Sequence, residues 1–292
     1  VAGDQIVSVN QVGREYIVVK GFLDGNREIA TIVATESNTE IFVGNSLNSL
    51  AILNAGEYFE VNLNQNATYI RGSKPVYLWH TSGFKCELAG ALLPPINCTG
   101  TFSTSVVRST ADQLGLILFT TKDGINSFSN NRGLIINSSV FDVVDGTSDN
   151  WYAARLELTN SNISLGQVLN ISNSTHLFHL GFINGVAGAG TRYGYFSDYN
   201  KVIGNLIDIK ECDRSEVVLS HRKGNINQWS TGSTLDSIVV ENSGMYWVDY
   251  EVNECPVTDS FNINFIRNEN VVYSDTVLCE NQTLEIMLTE GE

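Results

Sequence analysis

A chain of 292 residues, 42% of them hydrophobic, exceeds one ordinary domain and has enough apolar material for packed cores. Its formal charge of −15, from 32 acidic and 17 basic residues, argues against a surface that neutralises nucleic-acid phosphate and against docking on an anionic membrane. No apolar run approaches the roughly 18 residues needed to span a bilayer, so membrane insertion by a helix is not expected.

β-Branched Val, Ile and Thr and aromatic Tyr and Phe are plentiful, Met is nearly absent, and Asn, Ser and Gly lie between them, which is strand and turn chemistry. In chain order, alternating or β-branched runs predict strands at Tyr16–Lys20, Ile29–Ala34, Thr39–Val43, Tyr58–Leu63, Val76–Trp79, Leu114–Phe119, Ala154–Leu158 and Leu177–Phe182. Each is bounded by Gly, Asn, Asp or Pro. The predicted class is all-β: tandem β-sandwich domains followed by a smaller immunoglobulin-like β-sandwich.

Three blocks recur in order along the first two hundred residues. Thr31–Ile41 is echoed by Ile117–Ser127, Glu57–Leu63 by Trp151–Leu158, and Ile70–Trp79 by Ile171–Leu180. The expected division is a first sandwich at 1–95 and a related second one at 96–206. A third, compact module follows at 207–272. In it, Trp229-Ser230-Thr231-Gly232 gives a strand Trp and a glycine turn, and Asn242–Tyr246 has the spacing of a tyrosine corner, in which the Tyr hydroxyl returns to nearby backbone. Tyr246, Val248, Tyr250 and Val252 then alternate on one face.

Cysteine placement predicts disulfide-bonded, exported modules. Cys86 and Cys98 flank Leu92-Leu93-Pro94-Pro95 and are expected to close a short loop, Cys212 and Cys255 a longer one, each bridge typically worth about 2–4 kcal/mol. The absence of any C-x-x-C pair deprives zinc and thioredoxin-like readings of their ligand spacing. Cys279 heads a polar turn and strand similar to those after Cys212, so 273–292 reads as the truncated start of a further repeat.

Chemistry is sparsely signalled. The histidines stand at 80, 176, 179 and 221, and no Gly-x-Ser-x-Gly elbow, His-Glu-x-x-His or P-loop accompanies them. Catalytic residues are therefore not assigned. Asp142, Asp145 and Asp149 share a loop with Gly, Ser and Asn, the hard-oxygen chemistry that calcium takes, although the EF-hand spacing is missing. Calcium is the one cofactor expected there. Trp79 with His80, and Tyr193 with Tyr195 beside the Gly185–Gly190 loop, are candidates for stacking on sugar rings.

Gly13–Lys20, Val33–Thr39, Leu53–Glu57 and Tyr69–Val76 follow the order of the IgGFc-binding-protein N-terminal domain family, and the resemblance continues through Ile171–Phe182 and Gly185–Phe196. More closely, the chain resembles the versions that head large cell-surface proteins of gliding Bacteroidetes, where immunoglobulin-like repeats carry motifs like Trp229–Gly232 and Ser243–Val248 and the protein ends in a gliding-motility or type IX secretion sorting domain. The resemblance implies an extracellular, cell-surface adhesin, with polysaccharide or glycoprotein surfaces and further repeats of the same polypeptide as partners. It implies no catalytic residues and no immunoglobulin-binding motif. The alternatives are a structural stalk or spacer without its own ligand, and an extracellular glycan hydrolase whose carboxylate pair no motif reveals.

Overall fold

The computed structural model describes residues 6–159, 162–186, 190–197, 199, 204–212, 214–221, 225–252, 255–266, 277–278 and 280–283. Cys279 and most of the expected 273–292 repeat lie outside them. Apart from two single 3₁₀ turns at Val9–Gln11 and Lys122–Gly124, the regular elements among these residues are strands. The chain divides into two compact units: Val1–Val202 with Val252–Cys255, and Ile203–Glu251 with Pro256–Glu292.

The strands of the first unit are β1 (Gly13–Val19), β2 (Phe22–Leu23), β3 (Ile29–Ala34), β4 (Thr39–Val43), β5 (Ala51–Leu53), β6 (Tyr58–Asn62), β7 (Ala67–Lys85), β8 (Glu87–Leu92), β9 (Ser103–Val107), β10 (Gln113–Thr121), β11 (Phe128–Asn130), β12 (Asp142–Val143), β13 (Trp151–Leu158), β14 (Val168–Asn173), β15 (Phe178–Val186) and β16 (Gly190–Tyr195). One sheet centres on β7, whose nineteen residues are long enough to serve several neighbours. Its first half pairs with β1 and β4, its second with β3 and β8. A second sheet runs β12-β13-β10-β15-β16, and a third β11-β14-β9.

The order β6-β3-β7-β8 recurs as β13-β10-β15-β16, on either side of the Leu93–Gly100 connection. Ile32 stands opposite Phe59 and Leu78, as Leu118 stands opposite Ala154 and Leu180.

Packing explains why some strands alternate and others do not. On β3 the burial alternates strictly, so Ala30, Ile32 and Ala34 enter a core with Tyr16, Val18, Ile70, Val76 and Leu78. β10 is buried along nearly its whole length. Leu114, Leu116 and Leu118 pack with Val106, Leu169 and Ile171 of the third sheet. Ile117 and Phe119, on the other face, pack with Ile17 and Val19 of β1, Tyr69 and Phe84. Buried on two faces, β10 reads as a continuous apolar run. Gly115 is required there: an added Cβ would come within 2.0 Å of the Phe22 ring.

The second unit contains β17 (Leu206–Cys212), β18 (Val217–Ser220), β19 (Asn225–Trp229), β20 (Ser237–Val240), β21 (Gly244–Val252) and β22 (Cys255–Ile266). They form a sheet β17-β22-β21-β19 and a pair β18-β20, with β17 parallel to β22. Trp229 is fully buried and donates its indole N–H to the Leu235 carbonyl at 2.7 Å. The Tyr246 hydroxyl donates to the Asn242 carbonyl at 3.0 Å, the corner that the sequence spacing predicts. With Val248 and Tyr250 buried on the same face, this is an immunoglobulin-like sandwich.

The expected cysteine pairs are corrected. Cys86 is free and exposed, because it forms the tip of the β7–β8 hairpin. From there β8 runs back along β7 to place Leu92 opposite Trp79, about 20 Å from the tip at roughly 3.3 Å per residue. Cys98 lies past that point in the chain and, being disulfide-bonded while Cys86 is free, is bridged to a residue other than Cys86. Cys212 stands opposite Ile266, at the far end of the twelve-residue β22 from Cys255, so these two cannot pair either. Cys98 and Cys212 are nevertheless both disulfide-bonded.

Candidate functional site

Two arrangements in the first unit deserve comparison, and consecutive residues of β7 open them. Side chains alternate across a strand, so His80 points into the unit and Trp79 points out of it.

His80 is completely buried, as is Glu28 in the loop before β3. Its Nε2 lies 3.1 Å from the Glu28 carboxylate and its Nδ1 2.7 Å from the Tyr193 hydroxyl on β16. Glu28 also accepts the backbone N–H groups of Gly21 at 2.6 Å and Leu23 at 3.0 Å. Burial alone would raise the Glu28 pKa; the hydrogen bond and charge of His80 and the two amides hold it below the ordinary carboxylate value. Burial, reinforced by Tyr195, raises the Tyr193 hydroxyl well above its usual value. With a neutral imidazole, Nε2–H donates to Glu28 and Nδ1 accepts from Tyr193; with a charged one, both ring nitrogens donate. The carbonyl of the same Gly21, in the short Gly21–Leu23 strap, accepts from Arg155 of β13 at 2.8 Å. These groups satisfy one another, with Glu28 and His80 fully buried and Tyr193 half-buried.

His179 is likewise sealed. Its ring stacks on Phe119 at 4.6 Å, its Nδ1 lies 3.1 Å from the Ser197 hydroxyl, and burial pushes its pKa down to about 3. His176 sits in the turn before β15 against Thr175.

The outer face of the β7 sheet is different. Cross-strand pairing places Tyr58, Val33 and Tyr77 in one row, Glu60, Thr31 and Trp79 in the next, and Asn62, Ile29 and Thr81 in a third. Directly opposed residues share a face, and these all lie on the face opposite Ala30 and Ile32. Tyr58 is 64% exposed. Tyr77 and Trp79 are half-buried; the Trp79 indole lies flat on Gly90, where a Cβ would come within 2.1 Å, and donates to Thr81 at 3.1 Å. Tyr77 donates to the Val7 carbonyl at 2.9 Å. Three aromatic rings are thus held on a sheet surface among hydroxyl, amide and carboxylate groups.

The residues expected to stack on sugars are therefore separated. Trp79 stays on the surface, while His80, Tyr193 and Tyr195 turn inward to one buried cluster. Sequence reading missed Tyr58 and Tyr77. The i, i+2 spacing of Tyr77 and Trp79 signals their common face, whereas Tyr58 joins them only through strand register. Glu28 carries no sequence signal that sets it apart from other acids.

Asp142 pairs on β12 with Ala153, and Asp145 and Asp149 occupy the following turn, all three exposed. Among the described residues no group of three or more His, Cys, Asp or Glu side chains is gathered so as to hold a metal ion. No helix among them is long and apolar enough to cross a membrane.

Comparison with known proteins returns one family. No curated protein matches. Among solved structures, the chain is similar to the I-band fragment I67–I69 from titin at 12% identity, over 87% of this chain and 99% of that one, with a TM-score of 0.13, too low to carry information on the fold. The family described as IgGFc binding protein matches residues 1–183, a span that takes in the aromatic face, the whole first sheet order and the second as far as β15, and the chain belongs to that family.

Proposed function

We propose that this chain is an extracellular adhesin module, displayed as the head of a longer modular surface protein, that binds glycan-bearing surfaces without turning them over. The observation that carries the reading is the Tyr58–Tyr77–Trp79 face. Planar rings beside Thr31, Glu60, Asn62 and Thr81 match a sugar, which offers an apolar ring face and equatorial hydroxyls together. The face carries little charge beyond Glu60, and the chain is acidic overall, so neutral polysaccharide or glycoprotein glycans suit it better than anionic ones. Membership of the IgGFc binding protein family supports a binding or structural role. The inward orientation of His80, His179 and Glu28 supports a non-catalytic one. The sandwich of the second unit suits a stalk repeat, where many weak contacts on a tether give avidity.

The test is binding of the whole 292-residue chain to an array of neutral and anionic polysaccharides, glycoproteins and immunoglobulin Fc, with calcium and with EDTA. Saturable binding to neutral glycans supports the adhesin. Loss of that binding in EDTA would bring the Asp142–Asp149 loop into the site. Binding confined to Fc through its protein surface would replace the glycan reading, and no binding to any neutral glycan would leave the spacer role in its place.

A further inference from the structure

We propose that Glu28, His80 and Tyr193 form an acid-released clasp between the sheet built on β7 and the sheet that ends in β16. Its basis is geometric. Glu28 and His80 belong to the first sheet and its entry loop, Tyr193 to an edge strand of the second, and the hydrogen bonds at 3.1 and 2.7 Å join them inside the unit. β16 has β15 as its sheet neighbour on one side. On the other it offers Tyr193 and Tyr195 to the first sheet.

The segment Gly21–Leu23 is gripped from both sides. Glu28 takes its N–H groups and Arg155 its Gly21 carbonyl, while Phe22 stacks on Phe84 at 4.6 Å. The strap and the β16 edge thus depend on one carboxylate. Oε2 of Glu28 accepts from both Gly21 and His80. A proton on Glu28 turns an acceptor into a donor, and buried donors that lose an acceptor are costly.

The titratable and charged groups facing this carboxylate are His80 from β7, Tyr193 and Tyr195 from β16, Tyr199 just beyond it, which donates to the Leu92 carbonyl, and Arg155 from β13 across the strap. Charging His80 while Glu28 is ionised leaves an ion pair, and Nδ1–H then donates to the Tyr193 oxygen, so the chain holds. Loading Glu28 removes the acceptor and the chain opens. A carboxylate whose folded pKa is depressed stabilises above its unfolded value, here 4.5, and loses that contribution as pH falls through the folded one. The clasp is therefore closed at neutral pH and releases as the pH falls through a point lower than the ordinary carboxylate range.

Hydrogen–deuterium exchange on the whole chain, corrected for intrinsic rates and followed from neutral to acid pH, tests this. The expected result is that Gly190–Tyr195 gains exchange by about tenfold or more at a pH where Leu114–Phe119 of β10 remains protected. Glu28→Gln is expected to show the loosened β16 at neutral pH and no acid step. Tyr193→Phe, a milder change should Glu28→Gln fail to fold, is expected to loosen β16 at neutral pH while the Gly21 and Leu23 amides stay protected. An acid step retained in Glu28→Gln but lost in His179→Leu would overturn the clasp and assign the effect to His179. Simultaneous loss of protection in β10 and β16 at every pH would overturn it as well. Either result leaves the outer aromatic face, and what it binds, unaffected.

Discussion

Trp79 and His80 are adjacent in the chain, yet the Trp79 indole rests on Gly90 at the surface while the His80 imidazole bridges Glu28 and Tyr193 with no solvent contact. One peptide bond separates the aromatic face from the buried polar chain. That separation allows the two to be tested independently.

Tyr58→Ala is expected to weaken glycan binding by about two- to tenfold, the usual worth of one aromatic contact at about 0.5–1.5 kcal/mol. Because Tyr58 is 64% exposed, its thermal unfolding should be close to that of the parent. Gly90→Ala should weaken binding through Trp79, which the new methyl would lift from the sheet. Titration calorimetry beside a melting curve reads both, and unchanged affinity in the two variants would remove this face from the proposal.

His179 sets a second acid limit. Buried neutral with its pKa pushed down to about 3, it opposes protonation that the unfolded chain accepts from about pH 6.5. The unfolded state then binds more protons, so the first unit should lose stability progressively from about pH 6.5 toward pH 3. Urea midpoints across that range should fall less steeply in His179→Leu than in the parent. Parallel slopes would contradict the assignment.

Gly115→Ala should destabilise the first unit by about 1–3 kcal/mol, as overpacking does. The Phe22 ring that the methyl meets is stacked on Phe84 and has little room to retreat. Denaturant unfolding followed by a probe in that unit would show it, and the second unit's transition should stay where it is.

Cys86 should react with a thiol reagent in the native protein without reductant, since it is free and exposed. Cys98 and Cys212, being disulfide-bonded, should label only after reduction. Peptide mapping after alkylation distinguishes them; a blocked Cys86 would mean a partner at the hairpin tip.

Tyr246→Phe removes the hydrogen bond to the Asn242 carbonyl and should cost about 0.5–1.5 kcal/mol in the second unit alone. The ring remains, so the sandwich should persist with a lowered midpoint.

Where one face of a strand meets solvent, its pattern is readable. β3 and β4 occupy the residues that alternation predicts, Ile29–Ala34 and Thr39–Val43. The tyrosine corner is equally local, a matter of four residues. β7 was legible only as Val76–Trp79, because Arg71, Gly72, Ser73, Lys74 and Pro75 interrupt its apolar pattern. Those residues are tolerated since the first half of the strand is held by β1 and β4 through backbone bonds. The cysteine pairs failed for a related reason: proximity in sequence does not reveal that a hairpin carries one residue away from the other. Glu28 and Tyr193 were invisible as a pair because their meeting depends on how two sheets pack.

The parallel pairing of β17 with β22 has a mechanical consequence for a tethered module. Force entering at Leu206 and leaving at Ile266 pulls the two neighbouring strands past each other along their length. All the rungs from Leu206–Ser260 to Cys212–Ile266 then bear load together, where an antiparallel hairpin would unzip rung by rung. Under such a load the seven paired rungs would resist in shear.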